Sequence, residues 1–209
     1  MTGLGSDRVA PYAALWDWRR QVTELYTEIR GTVDPEAAWR LWRDRRDRLF
    51  AEHPQTPLDP SPDFDGLAYL PYDSRLRFEV EIKAPADVAP VPAGADGTTV
   101  LLPFARTRGL ARPLGGEIVL YWIAGYGGGV FLPFLDATSG RESYGGGRYL
   151  LDTIKSADHG TTPGGKIILD FNFAYNPSCY YSPRWVCPLS PRGNRLPFPV
   201  RGGEKGHLP

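Results

Sequence analysis

The chain has 209 residues, 42% of them hydrophobic, which is enough to build a substantial core and excludes the composition of a disordered protein. Its 24 basic residues are balanced by 24 acidic ones, so the formal net charge is zero. This balance argues against nucleic acid and against an anionic membrane surface as partners, because both require a strongly basic face.

The sequence contains neither a run of about 18 apolar residues that could cross a bilayer nor the basic start and apolar run of a signal peptide. We therefore expect a cytoplasmic protein of bacterial type. The two cysteines, Cys179 and Cys187, would normally be reduced in that compartment.

The N-terminal part of the chain predicts two helices. Across Pro11–Arg30, apolar residues recur at spacings of three and four, which is typical of an amphipathic helix, and Gly31 is expected to end it. Asp34 and Pro35 form a typical helix start, with the acid as N-cap and the proline in the first turn. This second helix is expected to end near residue 52, so that a helical arm spans residues 8–52.

The second helix contains a strongly charged segment, Arg40–Arg48, which reads RLWRDRRDR. Asp44 and Asp47 lie four residues after Arg40 and Arg43, a spacing that favours ion pairs on one helix face. We interpret the segment as a solvated helix face; contact with nucleic acid is the alternative.

A proline-rich connection, residues 53–66, leads into a β-rich body, residues 67–175. Strands are predicted over 75–83, 98–104, 117–123, 130–136, 148–153 and 166–175. Roughly seven to nine strands joined by short turns are typical of an antiparallel sandwich or barrel. The predicted fold class is α+β, with an N-terminal helical arm followed by an antiparallel β-sandwich or β-barrel.

Two of these strands carry predictions about burial. In 75–83, apolar and charged residues alternate, so Leu76, Phe78, Val80 and Ile82 are expected to face the core. The run 117–123 (EIVLYWI) is almost wholly apolar and is expected to be buried on both faces.

The final segment, residues 176–209, is irregular and rich in proline. Side chains must hold such a tail on the body, or it would be disordered. Its aromatic residues Tyr180, Tyr181, Trp185 and Phe198 are candidates for this role. We expect all of residues 1–209 to form a single domain.

Four blocks of sequence resemble a known family. They read FLPFLDATSGRESYGGGRYLLD, ILDFNFAYNPSCYY, CPLSPRGNRLPFPV and GGEK. These blocks closely resemble the bacterial and archaeal family called domain of unknown function 1684, and the resemblance covers nearly the whole chain. The sequence departs from the family pattern at Ser190, where proline is usual, and at Gly202, where alanine is usual. The resemblance implies a shared fold and a shared site, but no activity.

The run 166–176 contains several candidate site residues. If it is one strand, Asp170, Asn172 and Asn176 share a face opposite a uniformly apolar one. Buried polar groups need partners, so this face predicts a polar pocket, a solvated sheet surface or a set of brackets for the tail. The resemblance implies that these three residues belong to the family pattern.

Arg148 follows three glycines, Gly145–Gly147, which permit unusual backbone conformations. Its guanidinium could clamp a carboxylate or phosphate, or it could form a buried bridge with Asp170 or Glu142. The glycines match no phosphate-binding frame. Near the end of the chain, Glu204 and Lys205 could orient a ligand or dock the tail.

Cys179 and Cys187 lie eight positions apart, and four interpretations are open. They are a structural pair, a disulfide, a site with a nucleophilic thiolate, or metal ligands; the last lacks the usual zinc spacing. The three histidines, His53, His159 and His207, lie in loops, and nothing in the sequence places any of them as a catalytic base.

These residues lead to one principal hypothesis and two alternatives. The first is a protein that binds a small polar or anionic molecule in a pocket of the β body. The second is an enzyme that uses Cys179 as nucleophile or Asp170 as acid/base, with Arg148 as a further catalytic candidate; the third is a structural or interaction protein. The candidate ligand-binding residues are Tyr144, Arg148, Tyr149, Asp170, Asn172, Tyr175, Asn176, Asn194 and Lys205. We expect no metal or other cofactor, no nucleic acid and no membrane partner, and the oligomeric state stays open.

Overall fold

The computed structural model describes residues 6–59, 64–86, 88–93 and 99–206. The helical arm consists of α1 (Ser6–Gly31) and α2 (Pro35–Glu52). The Asp34 carboxylate accepts a hydrogen bond from the Glu36 amide at 3.0 Å, which confirms the predicted N-cap. The first helix begins before Pro11, and Gly31 is its last residue rather than a cap beyond its end.

The body is a single seven-stranded antiparallel sheet. Its strands are β1 (Arg77–Lys83), β2 (Val91–Ala93), β3 (Thr99–Arg108), β4 (Val119–Ile123), β5 (Gly129–Phe134), β6 (Arg148–Asp152) and β7 (Ile167–Asp170). The strand order is β6-β5-β4-β3-β1-β7, and β2 pairs with β3 beside this path. Two short helices complete the fold: α3 (Ala111–Leu114) lies between β3 and β4, and α4 (Ser178–Tyr181) lies in the tail after β7.

One pair of tyrosines joins the two ends of this sheet. The Tyr149 amide of β6 donates to the Tyr175 carbonyl at 2.9 Å, and the Tyr175 amide donates back at 3.0 Å. Tyr175 comes shortly after β7, so these bonds satisfy edge groups that would otherwise be unpaired. The sheet is thereby a nearly closed barrel, and the predicted α+β class with a β body is confirmed.

The predicted strand 166–175 is wrong beyond Asp170. The structure ends β7 at Asp170 and continues as a 3₁₀ turn over Phe171–Phe173. The Asp170 carboxylate accepts from the Asn172 amide at 3.0 Å, a local side-chain bond that competes with strand pairing. The alternation of side chains between the two faces of the strand therefore stops before Asn172. It cannot place Asn172 and Asn176 on one face.

Two apolar clusters pack on opposite faces of β4, and a third holds the arm against the body. In β4, Leu120 belongs to one barrel cluster, whereas Val119 and Tyr121 belong to the other. Residues 118–121 are buried as predicted, but Trp122 is 42% exposed, so the prediction of burial over the whole run is wrong there. The arm packs through a cluster that includes Trp39, Trp42, Tyr69 and Phe173. Ile82 is 45% exposed, so the prediction that it faces the core is wrong.

Candidate functional site

Arg148 lies at the start of β6 and is fully buried, with 0% of its surface exposed. Its guanidinium donates to the Val200 carbonyl at 2.8 Å and also to the Gly202 carbonyl. Its carboxylate partner is Asp136 at 3.4 Å, rather than Asp170 or Glu142. Asp136 in turn accepts from the Val200 amide at 2.7 Å, so the pair binds the C-terminal tail.

The glycines before Arg148 have one clear steric role. Gly147 has a φ of +87°, and a Cβ at this position would lie 2.5 Å from the Phe134 carbonyl oxygen. Only glycine fits a left-handed conformation at such a close approach. It allows the backbone to enter β6 against β5 with Arg148 directed inward.

Asp170 and Asn172 form a second polar cluster. The Asn172 amide nitrogen donates to Asp170 at 2.8 Å and to the Asp73 carbonyl at 2.9 Å. Its oxygen accepts from the Asp73 amide at 2.9 Å, so Asn172 is fully paired. Burial raises the pKa of Asp170 to about 6. This cluster holds the segment before β1, and the hydrogen bonds of Arg148 do not include it.

Asn194 also serves as a bracket. Its amide nitrogen donates to the Val119 and Pro133 carbonyls at 2.7 and 2.9 Å, and its oxygen accepts from the Val119 amide at 2.8 Å. These contacts attach the tail to β4 and β5. Asn176 donates to the Lys205 carbonyl at 2.9 Å, whereas its side-chain oxygen is buried and has no partner among the described residues.

A buried ion pair that the sequence interpretation missed joins the arm to the tail. Arg46 of α2 donates through Nε to Glu204 at 3.0 Å, and Glu204 is 1% exposed. The Tyr181 hydroxyl donates to the other Glu204 oxygen, and this oxygen also accepts from the backbone amide of Asn176 at 2.7 Å. The guanidinium of Arg46 lies 5.1 Å from the Tyr175 ring centroid, a cation–π contact.

The prediction of a solvated face over Arg40–Arg48 is therefore wrong for Arg46. The predicted ion pairs are also wrong, since Arg40 pairs with Glu36 and Asp47 accepts from the Leu67 amide at 3.0 Å. A signal was available, because Arg46 lies four residues after Trp42 and four before Phe50. This spacing places it on the apolar side of the helix.

The arm, the barrel and the tail enclose an aromatic cleft of about 170 Å³, which we call the helix–barrel cleft. Three of the predicted residues meet there: Tyr149, Tyr175 and Asn176. Its other walls come from α1, α2, the proline-rich connection, the loop after β6 and the tail. They include Trp18, Val22, Tyr26, Phe50, Pro57, Tyr181 and Trp185. The remaining predicted residues, Tyr144, Arg148, Asp170, Asn172, Asn194 and Lys205, do not line it.

The cleft has a positive electrostatic character. Arg19, Arg46 and Lys155 line it, and among its described lining residues none is Asp or Glu. Arg46 is compensated by Glu204, and Lys155 lies 3.1 Å from Asp152. Arg19 forms no ion pair with the part of the chain that the structure describes. The cleft therefore has uncompensated positive charge at its rim.

A larger groove of about 300 Å³ lies between the two helices of the arm, and His53 and Asp17 line it. The His53 Nδ1 atom accepts from the Gln55 amide at 3.0 Å, which leaves the proton on Nε2, 3.3 Å from Asp17. Both ring nitrogens are thus engaged, as expected for a structural histidine. His159 is buried, and desolvation lowers its pKa to about 4. His207 lies outside the described residues.

Cys179 and Cys187 are unbonded neighbours. The Cys179 amide donates to the Cys187 sulfur at 3.3 Å. Burial and the adjacent Cys187 raise the pKa of Cys179 to about 11, so its thiol stays protonated at neutral pH. A protonated thiol is a poor nucleophile, which disfavours the enzymatic role considered for Cys179.

The architecture defines an α+β protein in which a helical arm and an irregular tail cover one side of a nearly closed barrel. Within the described residues, no helix is both long and apolar enough to traverse a membrane. The chain belongs to the DUF1684 family, since the family model described as "Protein of unknown function (DUF1684)" matches residues 62–205.

A solved structure is similar to most of the chain. It is the solution NMR structure of an uncharacterized protein from gene locus rrnAC0354 of Haloarcula marismortui. The two chains are 33% identical with a TM-score of 0.56, and the similarity covers 83% of this chain and 95% of the other. No curated protein matches the sequence significantly.

Proposed function

We propose that the protein binds a small organic anion with an apolar body in the helix–barrel cleft. The observation that carries this proposal is the combination of aromatic walls with cations and no carboxylate among the described lining residues. Ligand sites commonly pair apolar walls with a few convergent polar groups. The principal hypothesis from the sequence is retained, but the proposed site lies between the arm and the barrel.

The size of the cleft limits the ligand. Its volume is about 170 Å³, and an apolar cavity of about 150 Å³ is sufficient for benzene. A single ring or a short branched chain therefore fits the enclosed part. The acidic group of such a ligand would lie at the rim, near Arg19 and Lys155, where the charges remain accessible to water.

Asn176 lines the cleft, but both polar atoms of its side chain are turned towards the protein. Its side-chain nitrogen is committed to the Lys205 carbonyl, which orients the amide, and its oxygen lacks a donor among the described residues. A buried acceptor without a partner is unfavourable by about 1–3 kcal/mol. This oxygen has almost no accessible surface, so the polar contacts of the ligand are expected at the rim, near Arg19 and Lys155.

A matched pair of fluorinated probes tests the proposal. We would titrate the protein with 4-fluorophenylacetate and with its neutral isostere 4-fluorophenylacetamide, and follow both by ¹⁹F NMR. We expect both probes to bind, with the acid tighter by roughly threefold or more, the range of an exposed charge interaction. If neither probe binds, the cleft is refuted as a site. If the two probes bind with equal affinity, the preference for anions is refuted.

Charge-reversal variants locate the binding. Arg19→Glu and Lys155→Glu should remove the preference for the acid while retaining affinity for the amide. Arg40→Glu and Lys166→Glu are matched controls, because both residues are exposed and do not line the cleft. A control variant that weakens the acid as much as Arg19→Glu would show that net charge, rather than the cleft, attracts the probe.

We further propose that the protein acts in the cytoplasm. The low cysteine content of two in 209 residues supports this, because small secreted domains are commonly rich in disulfides. Fractionation of cells that express the full chain, with alkylation of free thiols before lysis, tests the location and the redox state together. Recovery in a periplasmic or membrane fraction would contradict the proposal.

A further inference from the structure

The two cysteines lie at the two ends of one loop of the tail. Cys179 belongs to α4, and Cys187 ends the loop, so residues 179–187 leave and return to the same place. The Cys179 amide donates to the Cys187 sulfur at 3.3 Å. The Cys179 thiol also interacts with Cys187 and with the Tyr144 hydroxyl. Both cysteines are only partly buried, so a small oxidant can reach them.

The far end of this loop is held independently of the cysteines. The Ser182 hydroxyl donates to Asp59 at 2.8 Å, and the Trp185 indole donates to the Pro57 carbonyl at 3.1 Å. Arg184 donates to the Leu58 carbonyl at 2.9 Å. These contacts keep the loop folded and hold its two ends side by side in the reduced state. A bond between the ends therefore requires little movement of the backbone, which is the condition for an unstrained disulfide.

We propose that Cys179 and Cys187 are a reversible redox pair that forms an intramolecular disulfide by exchange with a low-molecular-weight disulfide such as oxidised glutathione. The Cys187 thiolate attacks one sulfur of glutathione disulfide, the S–S bond breaks, and one glutathione leaves. Cys179 then loses its proton, and its thiolate attacks the Cys187 sulfur of the mixed disulfide and releases the second glutathione. Two protein thiols are oxidised, and one glutathione disulfide is reduced to two thiols, which take up the two protons.

The environment of the sulfurs supports this order of events. The Cys187 sulfur accepts a hydrogen bond from the Cys179 amide, so it already lies beside the residue with which it would bond. The raised pKa of Cys179 makes it the poorer first nucleophile. As the second thiol, however, Cys179 needs only to reach a sulfur that already lies beside it.

Glutathione redox buffers test this with the full chain. Reduced protein is equilibrated at graded ratios of oxidised to reduced glutathione, quenched with acid, alkylated and analysed by intact mass. We expect free thiols to fall from two to zero per chain, with the loss of two hydrogens and without added glutathione. The melting temperature should rise by roughly 5 °C, as expected for closure of a short loop, and dithiothreitol should reverse both changes.

Single-thiol variants are the matched controls. Cys179→Ser and Cys187→Ser each retain one thiol and should yield only mixed disulfides with glutathione. The proposal is overturned if the wild type also stops at glutathione adducts, if it forms disulfide-linked dimers, or if both thiols persist at oxidising ratios. The thiol count needs no ligand, so this result is independent of whether the cleft binds the fluorinated probes.

A consequence for the cleft depends on the proposed function. Tyr181 and Trp185, which line the cleft, lie within the loop that the disulfide would close. The disulfide would restrict the motion of this wall before a ligand binds, so less conformational entropy would be lost on binding. The oxidised protein should bind 4-fluorophenylacetate about threefold more tightly than the reduced protein. Equal affinity in the two states would refute this link, while the thiol count would still decide the redox pair.

Discussion

Glu204 of the C-terminal tail neutralises Arg46 of α2 across 158 positions of sequence, with Nε and Oε1 3.0 Å apart. Both side chains are largely buried. The second oxygen of Glu204 accepts hydrogen bonds from the Tyr181 hydroxyl and from the backbone amide of Asn176. One carboxylate thus joins the helical arm, the tail and the segment that closes the barrel.

Removal of one partner of this pair should be far more harmful than removal of both. Glu204→Gln leaves the Arg46 guanidinium buried without a counter-charge, a change that costs about 3–5 kcal/mol. The double variant Arg46→Met/Glu204→Gln should be destabilised by less than either charge-removing single variant. Urea unfolding of the four proteins in a double-mutant cycle measures the coupling. Additive effects would contradict a direct interaction.

Arg148 should be essential for docking of the tail. Arg148→Ala removes donors to the Val200 and Gly202 carbonyls and leaves Asp136 buried without its cation, so we expect a loss of about 3 kcal/mol or more. In this variant, amide hydrogen exchange should accelerate in residues 194–206 of the tail and should change less in the arm. Arg201→Ala is the control, because its ion pair with Glu142 is exposed and such pairs contribute about 0–1 kcal/mol.

Gly203 should not tolerate a side chain. Its φ is +79°, and an added Cβ would lie 2.2 Å from the Ala174 carbonyl oxygen. We expect Gly203→Ala to destabilise the protein by about 2 kcal/mol or more, measured by urea unfolding. Gly193→Ala is the matched control in the same tail, since an added Cβ there meets nothing within 4 Å. Similar losses in the two variants would contradict the steric explanation.

His159 should make stability fall on acidification. Its pKa is lowered by burial from the ordinary 6.5 to about 4, so between these values the unfolded chain binds a proton that the folded protein does not. Its contribution is fully present above pH 6.5 and is lost as the pH falls towards 4, by about 3 kcal/mol. This contribution to the pH dependence of the free energy of unfolding should be missing in His159→Phe. Urea unfolding of the variant and the wild type at pH 7 and at pH 4.5 measures it.

Asp170 acts in the opposite direction and must be considered in the same measurement. Burial raises its pKa from 3.8 to about 6, so the folded protein binds a proton first, and stability falls as the pH rises from about 4 to 6. The two contributions offset each other in the wild type. His159→Phe should therefore become more stable relative to the wild type as the pH falls. A constant difference between the two proteins would contradict the assigned role of His159.

Local patterns were sufficient for the two long helices, for most of the strands and for the class of fold, but β2 and α3 were not predicted. The N-cap at Asp34 and the alternation in β1 depend only on neighbouring residues, and both hold in the structure except at Ile82. The strand through Asn176 failed because Asp170 bonds to the Asn172 amide two residues later and turns the chain. Periodicity alone does not detect this competing local bond.

The sequence by itself determined the helical arm, the antiparallel body, the family and the need for side chains that hold an irregular tail. Only the tertiary structure decided that Arg148 pairs with Asp136, that Arg46 pairs with Glu204, and that the cleft lies between the arm and the barrel. The physical reason is how far apart in the sequence the interacting residues lie. Helix and strand patterns arise from residues a few positions apart, whereas these pairs and the cleft depend on barrel closure through Tyr149 and Tyr175, which brings distant segments together.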